Sequence, residues 1–369
     1  MLNRRSRRAD ASCVNKRVAV VLLATLGLAI STVGGPMLGM KARSTAANQR
    51  ATKRPVPLDP SLAPSLAQST APSTGPASTV PLALALTSPL APTKVERTVA
   101  AVGDLVCPPE QPQTLISCRH QSVSDLLVAD ESLQNVLLLG DLQYQNGELV
   151  GFRNGYEKSY GRLNSMAIPT PGNHDYNTTG AAGYFEYFGA RAHLETNGYY
   201  SVDLSPSWHL VVLNSNCDAI GGCGPNSPQH RWLVANLAAN KKPCLAAIWH
   251  HPLFTSSPRG SNKFVRPLWE ALDAAKADVI LNGHEHNYER FALQDANGTA
   301  AVDGIRQFVV GTGGINSYPT AAKAANSEQR GWGFGYLRLS LHSGSYRWGF
   351  VGDSTTNFTD VGSEACRQK

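Results

Sequence analysis

Five short apolar runs, each closing on a small cluster of polar side chains, constrain this chain more than any other feature. Thr98–Gly103 ends at Asp104, Asn135–Gly140 at Asp141, and Ser165–Thr170 just before Gly172-Asn173-His174-Asp175. Leu245–Trp249 ends at His250-His251, and Ala277–Leu281 leads into Gly283-His284-Glu285-His286. Continuous apolar runs of this length suit strands covered on both faces, because a strand with one wet face would alternate. Helix-like segments lie between them: Ser122–Ala129, Asn154–Leu163, Pro228–Ala239 and Lys263–Ala275. Such alternation predicts an α/β chain, and open sheets of that class collect ligands at the carboxyl ends of their strands, where all five clusters fall. Later in the chain, Tyr199–Leu204 and Trp208–Asn214 read as a hairpin turned at Ser205-Pro206-Ser207. Arg306–Val310, Gly335–Leu341 and Tyr346–Val351 continue the strand pattern. So many neighbouring strands predict a second sheet packed on the first, a four-layer αββα sandwich of two mixed sheets.

Charge divides the chain sharply. The first 95 residues hold 12 Lys/Arg against 2 Asp/Glu and the rest hold 21 against 25, so the net +6 is a +10 leader on a −4 domain. A nucleic-acid-binding domain, which would need its basic residues on the folded part, is not expected. Arg4, Arg5, Arg7, Arg8, Lys16 and Arg17 precede a 23-residue run, Val18 to Met40, with no charge. Residues 1–42 therefore read as an export signal or a retained membrane anchor, with the N-terminus cytoplasmic either way. Residues 43–95, rich in Ala, Ser, Thr and Pro, cannot bury enough apolar surface to offset ordering entropy and read as a disordered linker. Residues 96–369 form the expected catalytic domain, exported to the outside or the cell wall, or held at a membrane only through the leader.

Cys13 precedes the export segment; Cys107, Cys118, Cys217, Cys223, Cys244 and Cys366 follow it, an even number in a domain expected outside the cell, which favours disulfides. Cys107–Cys118 and Cys217–Cys223 would close short loops, and Cys244–Cys366 would tie the C-terminus to a core strand, although six cysteines admit other pairings. A thiolate zinc site is disfavoured because no Cys-x-x-Cys occurs.

Taken singly, the clusters carry little. Gly-Asp is common at strand ends, Gly-Asn-His-Asp makes ordinary turns, and His-x-His is often a surface pair. Taken in order, they supply two carboxylates, a phenol (Tyr144), an amide and several imidazoles, enough for a two-metal site that hydrolyses phosphate esters. His120, His193, His209, His230 and His342 match no motif and are expected to be surface or packing residues.

Asp104, then Gly140-Asp141-x-x-Tyr144, Gly172-Asn173-His174-Asp175, His250, and Gly283-His284-x-His286-x-Tyr288-Glu289-Arg290 resemble the calcineurin-like metallophosphoesterases, and within them the purple acid phosphatases, over residues 97–353. The resemblance implies that Asp104, Asp141, Tyr144 and His286 hold one metal ion, and that Asp141, Asn173, His250 and His284 hold the other. A phenolate suits Fe(III); the second set would take Zn, Mn or Fe(II). His174, oriented by Asp175, would stabilise or protonate the leaving oxygen, and His251, whose side chain should point away from its neighbour's metal, would reach phosphate. The chain departs from the family where Gly often stands two residues after the first Asp and has Val106, a residue that cannot coordinate; Tyr144 must then complete that half.

The implied activity is hydrolysis of phosphate monoesters, on small molecules or macromolecules, by a metal-bridged hydroxide. A phosphodiester, nucleotide or phospholipid substrate on the same site is one alternative, since substrate choice belongs to loops 176–198, 215–228 and 252–262; a surface-held binding protein without catalysis is another.

Overall fold

The computed structural model describes residues 94–369. The expected signal or anchor (1–42) and all but the last two residues of the expected linker (43–95) lie outside them; Val95 opens the first strand.

In chain order the first half runs β1 (Val95–Val102), α1 (His120–Ala129), β2 (Asn135–Leu139), α2 (Leu149–Asn154), β3 (Ala167–Thr170) and α3 (Ala182–Phe188). It continues with β4 (Tyr200–Asp203), β5 (Trp208–Val212), α4 (Pro228–Ala239), β6 (Cys244–Ile248), α5 (Arg266–Ala274) and β7 (Val279–Asn282). Six strands follow: β8 (Tyr288–Phe291), β9 (Arg306–Val310), β10 (Ser327–Gly331), β11 (Gly335–His342), β12 (Ser345–Gly352) and β13 (Val361–Ala365). They form a six-stranded sheet ordered β13-β12-β11-β1-β2-β3 and a seven-stranded sheet ordered β10-β8-β9-β7-β6-β5-β4. Both are mixed: β1, β2 and β3 are mutually parallel with β11 antiparallel to β1, and β5, β6, β7 and β9 are parallel with β4 and β8 antiparallel at the flanks.

Alternation along each strand builds the layers. Val99, Ala101, Leu137 and Leu139 from the first sheet meet Leu210, Val212, Ile248, Leu281 and Phe308 from the second in one central core. Their neighbours Ala100, Val102, Val136 and Leu138 face outward onto α1 and the aromatic cluster of Phe152, Tyr156, Tyr160 and Tyr184. Leu245, Ala247 and Ile280 face the other way, onto Leu233 of α4 and Leu268, Trp269 and Leu272 of α5. Strands covered on both faces explain the unbroken apolar runs, and the result is the expected αββα sandwich.

Five elements differ from expectation. The helix anticipated over Asn154–Leu163 is not formed: α2 ends at Asn154, and two short 3₁₀ turns, Tyr156–Lys158 and Tyr160–Met166, follow. The buried Gln143 carboxamide accepts from the Tyr156 amide at 3.0 Å and sits against Gly155, where a methyl group would lie 2.6 Å from its Oε1, so this side chain occupies the path a continuous helix would take. α3 was not anticipated. Neither were β8, β10 and β13, whose sequences are charged or sparse in apolar residues; β10 and β13 are edge strands.

The six domain cysteines pair as Cys107–Cys118, Cys217–Cys223 and Cys244–Cys366.

Candidate metal centre

Each polar cluster sits in the turn that leaves a strand's carboxyl end. The turns are tight enough that Asp104, Asp141 and His284 adopt left-handed backbone, with φ of 63°, 53° and 74°. Such conformations cost non-glycine residues about 1 kcal/mol or more each and concentrate at functional sites. The turns are also packed on one another. A Cβ at Gly172 would lie 2.1 Å from Asp141 Oδ1, and one at Gly140, itself at φ 89°, would lie 2.6 Å from His250 Nδ1. Amides fix one oxygen of each carboxylate: His284 N–H donates to Asp104 Oδ2 (2.8 Å) and His174 N–H to Asp141 Oδ1 (2.7 Å).

The remaining oxygens face inward among two groups of side chains. In the first, Tyr144 Oη lies 3.0 Å from Asp104 Oδ1, 2.9 Å from Asp141 Oδ2 and 3.2 Å from His286 Nε2. In the second, Asn173 Oδ1 lies 3.1 Å from His250 Nε2 and 3.0 Å from His284 Nδ1, and His250 Nε2 lies 3.2 Å from Asp141 Oδ2. Asp141 belongs to both. Asp104 and His250 are fully buried.

This arrangement is poorly satisfied by protons alone. One phenol proton faces two carboxylate oxygens and an imidazole nitrogen. His250 Nδ1 lies 2.8 Å from the Leu139 carbonyl, so a proton is placed there and Nε2 faces the oxygens of Asp141 and Asn173, where a cation would take the place of its second proton. Converging lone pairs on oxygen and imidazole nitrogen are what hard and borderline cations require, and a carbonyl behind a ligating imidazole is the usual outer support. His286 has the same support from Asn316, whose Oδ1 contacts its Nδ1. The donor set fits two metal ions sharing Asp141.

Titration follows the same crowding. Burial would raise the Asp141 pKa, but the charge and hydrogen bond of His250 outweigh it and hold the carboxylate well below its ordinary value. For His250, burial opposes the charged form, and the attraction of Asp141 overcomes it, raising the group to about 9. Burial, then Asp104 and Asp141, pushes the Tyr144 phenol well upward, and a cation would reverse that balance. Burial and His250 lower His251 to about 3 and push His284 down as well.

Two expected roles need correction. Asp175 does not orient His174. Its carboxylate is taken by the amides of Gly172 (2.8 Å) and Leu142 (3.2 Å), so it ties the third turn to the second. The Gln145 carbonyl instead lies 2.8 Å from His174 Nδ1, and the ring packs at 4.3 Å from that of Tyr144. His251 does not turn away from its neighbour's donor set: its ring lies 4.4 Å from that of His284 and 4.9 Å from that of His250, and ligand atoms of the three imidazoles lie within 4.8 Å of one another. Ser215 Oγ accepts from the His251 amide (3.1 Å) and lies 2.8 Å from its Nδ1. Val106, in place of the expected glycine, contributes backbone: its carbonyl accepts from Tyr144 N–H at 2.9 Å.

Asn316 and Ser215 escaped the sequence reading. The first follows the Gly311-Thr-Gly-Gly314 turn, which had no ligand of its own, and the second lies in a loop read only as a source of selectivity. The unmatched histidines behave as expected; His209, for instance, links Asp203 (2.7 Å) of β4 to Asn236 (3.0 Å) of α4.

Comparison with known proteins agrees with this geometry. The family model for calcineurin-like phosphoesterases matches residues 97–288. Among curated relatives, purple acid phosphatase 22 of Arabidopsis thaliana is 30% identical over 178 residues, covering 45% of this chain and 40% of the relative. The probable inactive purple acid phosphatase 9 of the same plant is 28% identical over 187 residues, covering 45% and 28%. The chain thus spans under half the length of either. Among solved structures, the purple acid phosphatase PPD1 of yellow lupin (Lupinus luteus) seeds superposes with a TM-score of 0.57 at 17% identity, over 74% of this chain and 54% of that one, a likeness of fold. With more than half its length matched by the family model, and the candidate ligand clusters at the strand ends, the chain belongs to the calcineurin-like phosphoesterases.

Proposed function

We propose that this protein is an exported, purple-type acid phosphatase that hydrolyses phosphate monoesters. The observation that carries the reading is the pair of inward-facing donor sets sharing Asp141: Asp104, Tyr144 and His286 on one side, Asn173, His250 and His284 on the other. The anionic phenolate set suits Fe(III), and the amide–imidazole set suits Zn, Mn or Fe(II). When bound, such a pair supplies Lewis acidity toward phosphate oxygens and lowers the pKa of water.

The chain's own residues supply the rest. Asp141 offsets the mutual repulsion of two cations, and the amides on Asp104 and Asp141 keep both carboxylates aimed inward. His174, with Nδ1 at the Gln145 carbonyl, presents Nε2 to deliver a proton to the departing alcohol oxygen. His251, held by Ser215 and neutral well below pH 7, presents Nε2–H as a donor to a phosphate oxygen.

The test is a metal analysis of the full-length protein, followed by turnover of a monoester and a diester across pH. Two metals per chain with a preferred monoester is the expected result. A preferred diester would move the reading to phosphodiesterase, and no turnover by the fully loaded protein would move it to a binding protein.

A further inference from the structure

Beside the second donor set lies a cleft of about 450 Å³, lined by Asn173, Tyr176, Asp218, His251 and Phe264 among others. This is within the roughly 300–1,000 Å³ of small-molecule sites. Four separate segments build it: the turn after β3, the loop after β5 closed by the Cys217–Cys223 disulfide, His251 after β6, and the 3₁₀ turn Lys263–Val265. Because Asn173 and His251 belong to the centre and also line the cleft, a phosphate held there would place its alcohol substituent in this space.

The lining is selective in two ways. It is aromatic: Phe264 is 48% exposed, unusual for so large an apolar side chain, and its ring lies 5.5 Å from that of His251, edge to face. Tyr176 is fixed by Asn214, which donates to its hydroxyl at 2.8 Å. The lining is also without cations. No lysine or arginine is among its described residues, and the charge at its mouth is the exposed carboxylate of Asp218, which makes no ion pair or hydrogen bond among the described residues.

We infer that this cleft receives the alcohol portion of the ester and selects an aromatic or apolar group carrying no negative charge. The inference rests on the phosphoesterase reading above. It makes Phe264 and Asp218 specificity residues, one attractive and one repulsive, and it disfavours esters whose alcohol bears a further phosphate or carboxylate.

The test uses full-length, metal-loaded protein and three esters of unactivated alcohols, so that leaving-group chemistry is nearly constant: 2-phenylethyl, ethyl and carboxymethyl phosphate. The expected kcat/KM order is phenylethyl, then ethyl by roughly tenfold less, as befits burial of one ring against an aromatic wall, then carboxymethyl. Phe264→Ala should reduce the first ratio to about twofold, and Asp218→Asn should narrow the second. Because both side chains are exposed, neither change threatens folding. Turnover without discrimination between phenylethyl and ethyl, or a ratio untouched by Phe264→Ala, overturns this inference alone. Absence of turnover on all three esters overturns the phosphoesterase reading and this inference together.

Discussion

The two donor sets share Asp141 but sit in different surroundings. On the Tyr144 side, Asp104, Tyr144 and His286 are all buried, and the Cys107–Cys118 disulfide and Ile315 pack against the phenol. On the other side, His250 is buried while Asn173 and His284 are half-buried, and Asn173 opens onto the cleft. A phenolate and two carboxylates in a dry setting would hold a cation of high charge strongly, because little water screens them. Neutral amide and imidazole donors beside an opening suit a cation that must also meet substrate. The contrast suggests a division of labour: one half holds, the other exchanges.

The sharpest way to break that contrast is to remove what the halves share. Asp141→Asn should empty both, with metal content and turnover falling together, turnover by more than about a hundredfold; unchanged activity would sink the site. Tyr144→Phe comes next and should separate the halves. It preserves the ring packing, so the fold should persist, while the visible absorption band expected of a tyrosinate bound to Fe(III) vanishes and metal content falls toward one per chain. Equal loss of both metals would mean that the halves are not independent. A smaller effect is expected from Asn316→Ala, which leaves all ligands in place but frees His286; affinity at the Tyr144 side should weaken about 10- to 100-fold, with the Asn173 side unaffected, as metal titration would show. Smallest for the centre is the double change Cys244→Ala/Cys366→Ala. That bridge spans 122 residues and ties β6 to the C-terminus, so chemical denaturation should register a loss of about 2–5 kcal/mol, while metal content stays as in the parent.

What was legible in the sequence follows from how many constraints each residue carries. Strands buried on both faces wrote themselves as apolar runs, and Arg306–Val310 and Pro228–Ala239 begin and end where the pattern placed them. The ligand clusters were legible because turn geometry and chemistry coincide at Gly-Asp and Gly-Asn-His. The rest depended on distant partners. β8 looked like motif rather than strand because its central residues are Glu289 and Arg290, and these find their partners only far along the chain: Ser256 donates to Glu289, and Asp360 pairs with Arg290 at 2.8 Å. Asp175 looked like the partner of the adjacent His174, but the folded chain offers its carboxylate two amides that sequence proximity could not reveal. Asn316 reaches His286 from 30 positions away.

The central claim is tested most directly by the visible absorption spectrum and metal content of the full-length protein beside its Tyr144→Phe variant. Two metals and a tyrosinate-to-ferric band are expected in the parent, with the band gone and one metal lost in the variant. Two metals without such a band, or a band that survives Tyr144→Phe, would contradict the assignment of Tyr144 as the ligand that distinguishes the two halves.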